Sequence, residues 1–133
     1  MTRRESREVA FIIIFEKLFQ QETPIDEIIA GAAESEIYKV NEFAKKLLNC
    51  VYENIEKIDS LIEENLVGWS VSRISKVSKA VLRLGICEIM FIDDVPDGVA
   101  INEAVEITKK YSTAEDAAFI NGVLGSVARK KAK

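Results

Sequence analysis

The amino-acid sequence predicts an all-α fold, with six or seven helices in one domain spanning residues 1–133. Apolar residues recur at intervals of three and four along most of the chain, the spacing that places them on one helix face. Helix-start signals stand just ahead of these runs, at Thr2 with Glu5, at Thr23 before Pro24, and in the stretch "STAE" at residues 112–115. No segment alternates apolar and polar residues in the manner of a half-buried strand, and no internal repeat or low-complexity linker divides the chain.

Thr2 and Glu5 have the capping-box spacing, which starts a first helix at the arginines of "MTRRESRE". From Val9 to Phe15 apolar residues occupy every side of this helix, so it is expected in the middle of a bundle. "TPIDE" supplies a cap at Thr23, proline at the first helical position and acids in the first turn; a short second helix should run to about Gly31. A long helix is expected next, from near Ser35 through Phe43, Leu47, Val51, Ile55 and Ile62. It stops at "VGWS", where Gly68 is a breaker and Ser70 or Ser72 can cap the following helix. That helix carries Ile74 to Phe91 and ends at "DDVPDG". Gly85 in its interior costs about 1 kcal/mol relative to Ala, which points to close helix packing. "VAINEAVEITKKY" forms a further amphipathic helix, and the last one buries Phe119, Ile120, Val123, Leu124 and Val127.

Composition bounds the chemistry. With 48% hydrophobic and 30% charged residues, the chain reads as an ordinary soluble globular protein. Its longest apolar run, "VAFIIIF", falls far short of the roughly 20 residues that span a bilayer, and Glu16 and Lys17 close it too early for a signal peptide. An intracellular, cytoplasmic protein is expected. Cys50 and Cys87 lie far apart in helical patterns and read as buried free thiols. The chain has no histidine, which removes serine-histidine and cysteine-histidine catalysis and the commonest zinc sites, and it has no glycine-rich phosphate loop. No metal or cofactor is expected. Glu63-Glu64 and Asp93-Asp94 read as solvated acids at helix ends, Trp69 as a plug over a helix junction, and Arg83 as a partner in an internal ion pair or a cap contact. Lys109 and Lys110 close a helix, where the dipole favours positive charge.

The net charge of -4 is unevenly spread: Arg3, Arg4 and Arg7 stand at the start, "RKKAK" stands at the end, and the body between is acidic. If the two ends meet in the fold, they make a local positive field on an acidic protein. On a helix, Arg3 and Arg7 lie within about 40° of each other, and Glu8 stands at i+4 from Arg4. Such a cluster reads either as a solvated first turn or as a phosphate site, since guanidinium groups chelate phosphate in pairs and stay charged. Tyr111 and Phe119 can add stacking surface for RNA bases if the last two helices pack beside the first.

The order of segments resembles the NusB family of transcription antitermination factors over nearly the whole chain. "RRESREVA" is similar to the family's amino-terminal "RRxxRExA"; "SKAVLRLGICEIM" to "ILRLAxYEL"; "DVPDGVAINEAVEITKKY" to "DIPxxVAINEAVELAKxF"; and "FINGVLGSVAR" to "FVNGVLDxxA". The resemblance implies an all-helical fold of two packed bundles and a non-enzymatic role. It implies binding of boxA RNA together with the ribosomal protein NusE, in a complex with other Nus factors and RNA polymerase on ribosomal RNA operons. By position, Arg3, Arg4, Arg7, Glu115 and Phe119 match RNA-binding residues of the family, while Phe15 and Ser78 match the surface that meets NusE. Four positions depart from the pattern: Ser78 replaces an acid, Gly125 an Asp, Ala118 a Lys and Phe15 a Tyr. The same helical domain also occurs fused to RNA cytosine methyltransferases, but 133 residues leave no room for a catalytic domain. A helical protein-interaction module with little RNA contact stands as the alternative reading, and a homodimer of the free protein stays open.

Overall fold

One buried helix forms the axis around which the others are arranged. The structure is a computed structural model and describes residues 1–35, 39–68 and 70–132. Seven α-helices occur among the described residues: α1 (Arg3–Phe19), α2 (Ile25–Glu34), α3 (Glu42–Glu53), α4 (Ile55–Glu64), α5 (Lys76–Phe91), α6 (Asp97–Tyr111) and α7 (Ala114–Lys131). A 3-10 turn, Val71–Arg73, leads into α5. Every residue of α5 from Ala80 to Ile89 is buried, and α1, α3, α4, α6 and α7 all pack on it. Helices α2 and α3 pack on α1, α6 and α7 pack on each other, α4 packs on α5 and the end of α3, and α5 is common to all but α2. The sequence places α1 in the middle because of its all-round apolar run. Instead Ile12 and Phe15 remain partly exposed, and the central position belongs to α5.

Several helix ends follow from local chemistry. The Thr2 hydroxyl accepts from Glu5 N–H at 3.1 Å, and the Glu5 carboxylate accepts from Thr2 N–H at 3.0 Å, completing the expected capping box. Other ends differ from expectation. Pro24 rather than Thr23 is the N-cap of α2, which runs three residues beyond Gly31. Ser75 caps α5 through the Ser78 N–H at 3.0 Å, while Ser70 and Ser72 bond to each other. Thr113, one residue later than the "STAE" pattern implies, caps α7 through Asp116 N–H at 3.0 Å. Gly68, with φ at +77°, takes the left-handed conformation that ends this region, as its breaker role requires.

The expected long third helix is two helices. Asn54 interrupts it: both its backbone N–H, at 3.2 Å, and its side-chain amide, at 2.8 Å, donate to the Cys50 carbonyl. A side chain that competes for a backbone acceptor in this way favours a helix end over its continuation. The apolar period survives the break, which is why it was invisible in the pattern. The expected start near Ser35 runs into residues 36–38, and the Trp69 plug into residue 69; both lie outside the described residues.

Gly85 packs where α5 meets α7. A Cβ at this position would stand 2.7 Å from Leu124 Cδ1, and Leu124 is fully buried. The glycine thus exchanges helix propensity for close approach. At the far end of α4, the Asn65 amide donates to Leu61 carbonyl at 2.7 Å and its oxygen accepts from Ser126 of α7 at 2.7 Å. Gly85→Ala should lower unfolding stability by up to about 2 kcal/mol, overpacking outweighing the gain in propensity. Leu124→Ala alone should cost about 2 to 5 kcal/mol. In urea denaturation the double variant should lose clearly less than the sum, because removing Leu124 makes room for the added methyl.

Candidate nucleic-acid interface

The three arginines of α1 occupy three different environments. Arg3, its side chain 48% exposed, donates to Asp94 at 2.9 Å and lies 4.3 Å from the Phe43 ring centroid of α3. Arg4, 65% exposed, makes a bidentate pair with Glu103 of α6 at 3.0 and 3.2 Å. Arg7 is only 5% exposed and donates from Nε to Glu88 Oε1 at 2.7 Å, inside the contact of α1 with α5. Two of the arginines therefore face solvent, and the third belongs to the interior.

The electrostatics follow this division. The Arg3 hydrogen bond holds the Asp94 carboxyl below its ordinary value. Burial pushes the Glu88 carboxyl up, and the Arg7 guanidinium pulls against that rise. Glu8 does not pair with Arg4 as the i, i+4 spacing suggests. It accepts from Lys110 and from the Tyr111 hydroxyl at the end of α6, and these two partners lower its carboxyl pKa. Helix periodicity proposed the nearer partner; the packing of α6 along α1 supplied better ones.

Helix α1 runs alongside α6 and antiparallel to α5. Arg4 meets Glu103 and Phe11 meets Tyr111, with ring centroids 5.0 Å apart, so successive turns of α1 and α6 match. At the other end of α1, Lys76 of α5 sits over the exposed Phe19 ring at 5.4 Å. Phe11, Phe15 and Phe19 form a continuous aromatic row, with centroids 6.0 and 5.0 Å apart. The row starts beside Tyr111 and leads toward the α5 N-terminus. From Arg4 to Phe15 the distance along α1 is about 16 Å.

The α5 N-terminus borders a cleft lined by Arg73, Ile74, Ser78, Glu115, Asp116 and Phe119. It joins Glu115 and Phe119, matched with RNA contacts, to Ser78, matched with the partner surface. The arginines stand at the opposite end of α1. Ser78 is 2% exposed, so it contributes little surface of its own. Phe15 is half-buried, Phe119 is half-buried, and Glu115 is exposed.

The tertiary structure adds residues that sequence reasoning missed. Phe43, Asp94 and Glu103 define how the exposed arginines are held, yet Asp94 and Glu103 stand 91 and 99 positions from their partners. No local spacing reports such contacts. Arg73, in the cleft, and Phe19 with Lys76, beside the aromatic row, were likewise absent from the expected set. Both basic ends of the chain do converge on "DDVPDG": Arg3 pairs with Asp94, and Lys131 pairs with Asp97 at 2.9 Å and donates to the Ile89 carbonyl at 2.6 Å. The acids of this loop neutralise part of the field that the two ends would make. Of the two readings for Arg83, the ion pair holds: it donates to Asp59 of α4 at 2.9 and 3.0 Å.

A basic helix end joined by an aromatic row to a half-apolar cleft defines a helical binding domain. Among the described residues no group of three or more His, Cys, Asp or Glu is placed to hold a metal ion, and no helix is long and apolar enough to cross a membrane. The model of the NusB family matches residues 4–129, and the chain belongs to that family. It is 41% identical over 131 residues to the transcription antitermination protein NusB of Clostridium novyi (strain NT), covering 96% of this chain and 98% of the relative. Among solved structures it is similar to T. maritima NusB, with a TM-score of 0.88, 34% identity and coverage of 97% and 92%. A crystal structure of the antitermination factors NusB and NusE in complex with double-stranded RNA matches with a TM-score of 0.85, 30% identity and 96% coverage of each chain.

The three environments separate the arginines experimentally. Arg7→Ala should cost about 3 to 5 kcal/mol of unfolding free energy, because it leaves Glu88 buried without its countercharge. Arg3→Ala and Arg4→Ala should leave the denaturation midpoint nearly unchanged, since both guanidinium groups lie at the surface.

The lowered pKa of Glu8 gives a pH test. Its contribution to stability is fully present above the ordinary glutamate value of 4.5 and is lost as pH falls from there through the lower folded value. Glu8→Gln should remove that component, so the difference in stability between wild type and variant should shrink on acidification in this window.

Proposed function

We propose that this protein is a non-enzymatic transcription antitermination factor of the cytoplasm, acting as one domain over residues 1–133. It binds boxA-type RNA together with the ribosomal protein NusE. In the assembled complex it acts with other Nus factors and RNA polymerase to keep transcription of ribosomal RNA operons processive. The observation that carries the reading is the layout of α1: two solvent-facing arginines at its start, and an aromatic row leading from it toward the cleft of α5 and α7.

Each residue then has a physical role. Arg3 and Arg4 bind backbone phosphates, exchanging the carboxylates of Asp94 and Glu103 for phosphate oxygens in the same fork geometry. Phe119 offers an apolar surface to an unpaired base, and Glu115 accepts hydrogen bonds from base edges. Phe15 and the α5 N-terminus around Ser78 meet NusE. Arg7 is a positioning residue: held by Glu88, it fixes the helix end that carries Arg3 and Arg4. Exchange of carboxylate for phosphate lowers the net gain per contact, which leaves a substantial share of the affinity to the partner protein.

The alternative, a protein-docking module with little RNA contact, draws on one observation: both exposed arginines already have carboxylate partners. Titration of boxA-type RNA with and without NusE separates the readings. The Arg3→Ala/Arg4→Ala variant should bind RNA at least tenfold more weakly, at about 1.4 kcal/mol per factor of ten. Its salt dependence should also be shallower by roughly 0.7 in log-log slope per arginine. RNA affinity equal to wild type in this folded variant, with NusE binding intact, would favour the docking module.

A further inference from the structure

We propose that Cys50 and Cys87 form a hydroperoxide-responsive dithiol site that closes to an intramolecular disulfide between α3 and α5. The two residues are remote in sequence, but their helices pack together. The Cys87 thiol donates to the Leu47 carbonyl of α3 at 3.7 Å. Cys50 stands one turn further along α3, and helical side chains lean back over the preceding turn, so both thiols converge on that carbonyl. Each thiol shifts the titration of the other, as neighbours do. Both are free, and neither has a part in the RNA- or partner-binding surface.

The two thiols differ in the way a reactive and a resolving thiol must. Cys50 is half-exposed and opens on a surface hollow bordered by Lys46, Asn49, Glu53, Asn54 and Phe91. Cys87 is 0% exposed. The Cys87 S–H lowers the Cys50 thiol pKa, with help from the Asn54 amide at 4.0 Å and the Lys46 ammonium; burial and Glu53 oppose them. The same partnership, together with burial and the charge of Glu88, pushes Cys87 up. The accessible thiol is thus the easier of the two to ionise, and the buried one holds its proton longer.

The chemistry balances in two steps. The Cys50 thiolate attacks one oxygen of a hydroperoxide ROOH; the O–O bond breaks, Cys50 becomes a sulfenic acid, and the leaving alkoxide takes a proton from solvent to give ROH. Cys87 sulfur then attacks the sulfenic sulfur; the S–S bond forms, and the departing hydroxide takes the Cys87 proton to leave as water. Two electrons pass from the two sulfurs to the peroxide.

The test is hydrogen peroxide treatment of the reduced full-length chain, followed by intact mass and peptide mapping. Wild type should lose the mass of two hydrogens and both titratable thiols, yield a linked Cys50 and Cys87 peptide pair, and recover on reduction by dithiothreitol. Cys87→Ser should accumulate a sulfenic acid on Cys50 that dimedone traps. Cys50→Ser, at the half-exposed position, should retain its helical circular dichroism and keep Cys87 reduced. The proposal is overturned if folded wild type keeps both thiols under peroxide, if it forms covalent dimers through Cys50 instead, or if Cys87 oxidises equally fast in Cys50→Ser.

Discussion

The pairing of Arg7 with Glu88 constrains more of this molecule than any other contact. Both charges are buried, and α5, which carries Glu88, is buried along its whole middle. A carboxylate in such a helix needs a charged partner from outside, and Arg7 of α1 supplies it. The pair therefore fixes α1 in register against the central helix. Arg83 and Asp59 do the same for α4, from the opposite side of α5. Two buried charges on the central helix thus select how two neighbours dock, where apolar contact alone would tolerate sliding.

The functional surface inherits its geometry from that register. With Arg7 held inside, Arg3 and Arg4 stand at the helix end, one against Phe43 and Asp94, the other against Glu103. The carboxylates of Asp94 and Glu103 hold the guanidinium groups in fixed positions, and would compete with the phosphate proposed to bind there. Further along α1, Tyr111 and the phenylalanine row lead toward the cleft at the start of α5. One helix thereby spans the distance between its exposed arginines, proposed to bind phosphate, and the cleft proposed to dock the partner.

The departures from the family pattern fall unevenly. Ser78 is almost wholly enclosed and its backbone is capped by Ser75, so the missing acid removes charge from the cleft wall without exposing anything new. Ala118 is exposed beside half-buried Phe119, where a lysine would have added a cation. In this chain Arg73, on the 3-10 turn, supplies positive charge to the cleft.

The sequence by itself determined the helices, their apolar faces, the cap at Thr2 and the reason for Gly85, because these depend on neighbours within a turn or two or on a local propensity conflict. Through the quoted motifs it also named the family and the helix that carries the arginines. It did not show the break at Asn54, because a single side-chain hydrogen bond ends a helix without disturbing the apolar period. Nor did it separate Arg7 from Arg3 and Arg4. Three identical side chains within one turn and a half look equivalent until a second helix, 81 positions away for Glu88, places a buried carboxylate against just one of them. Partners at that separation are chosen by tertiary packing, and packing alone decided which arginines remain at the surface to meet a ligand.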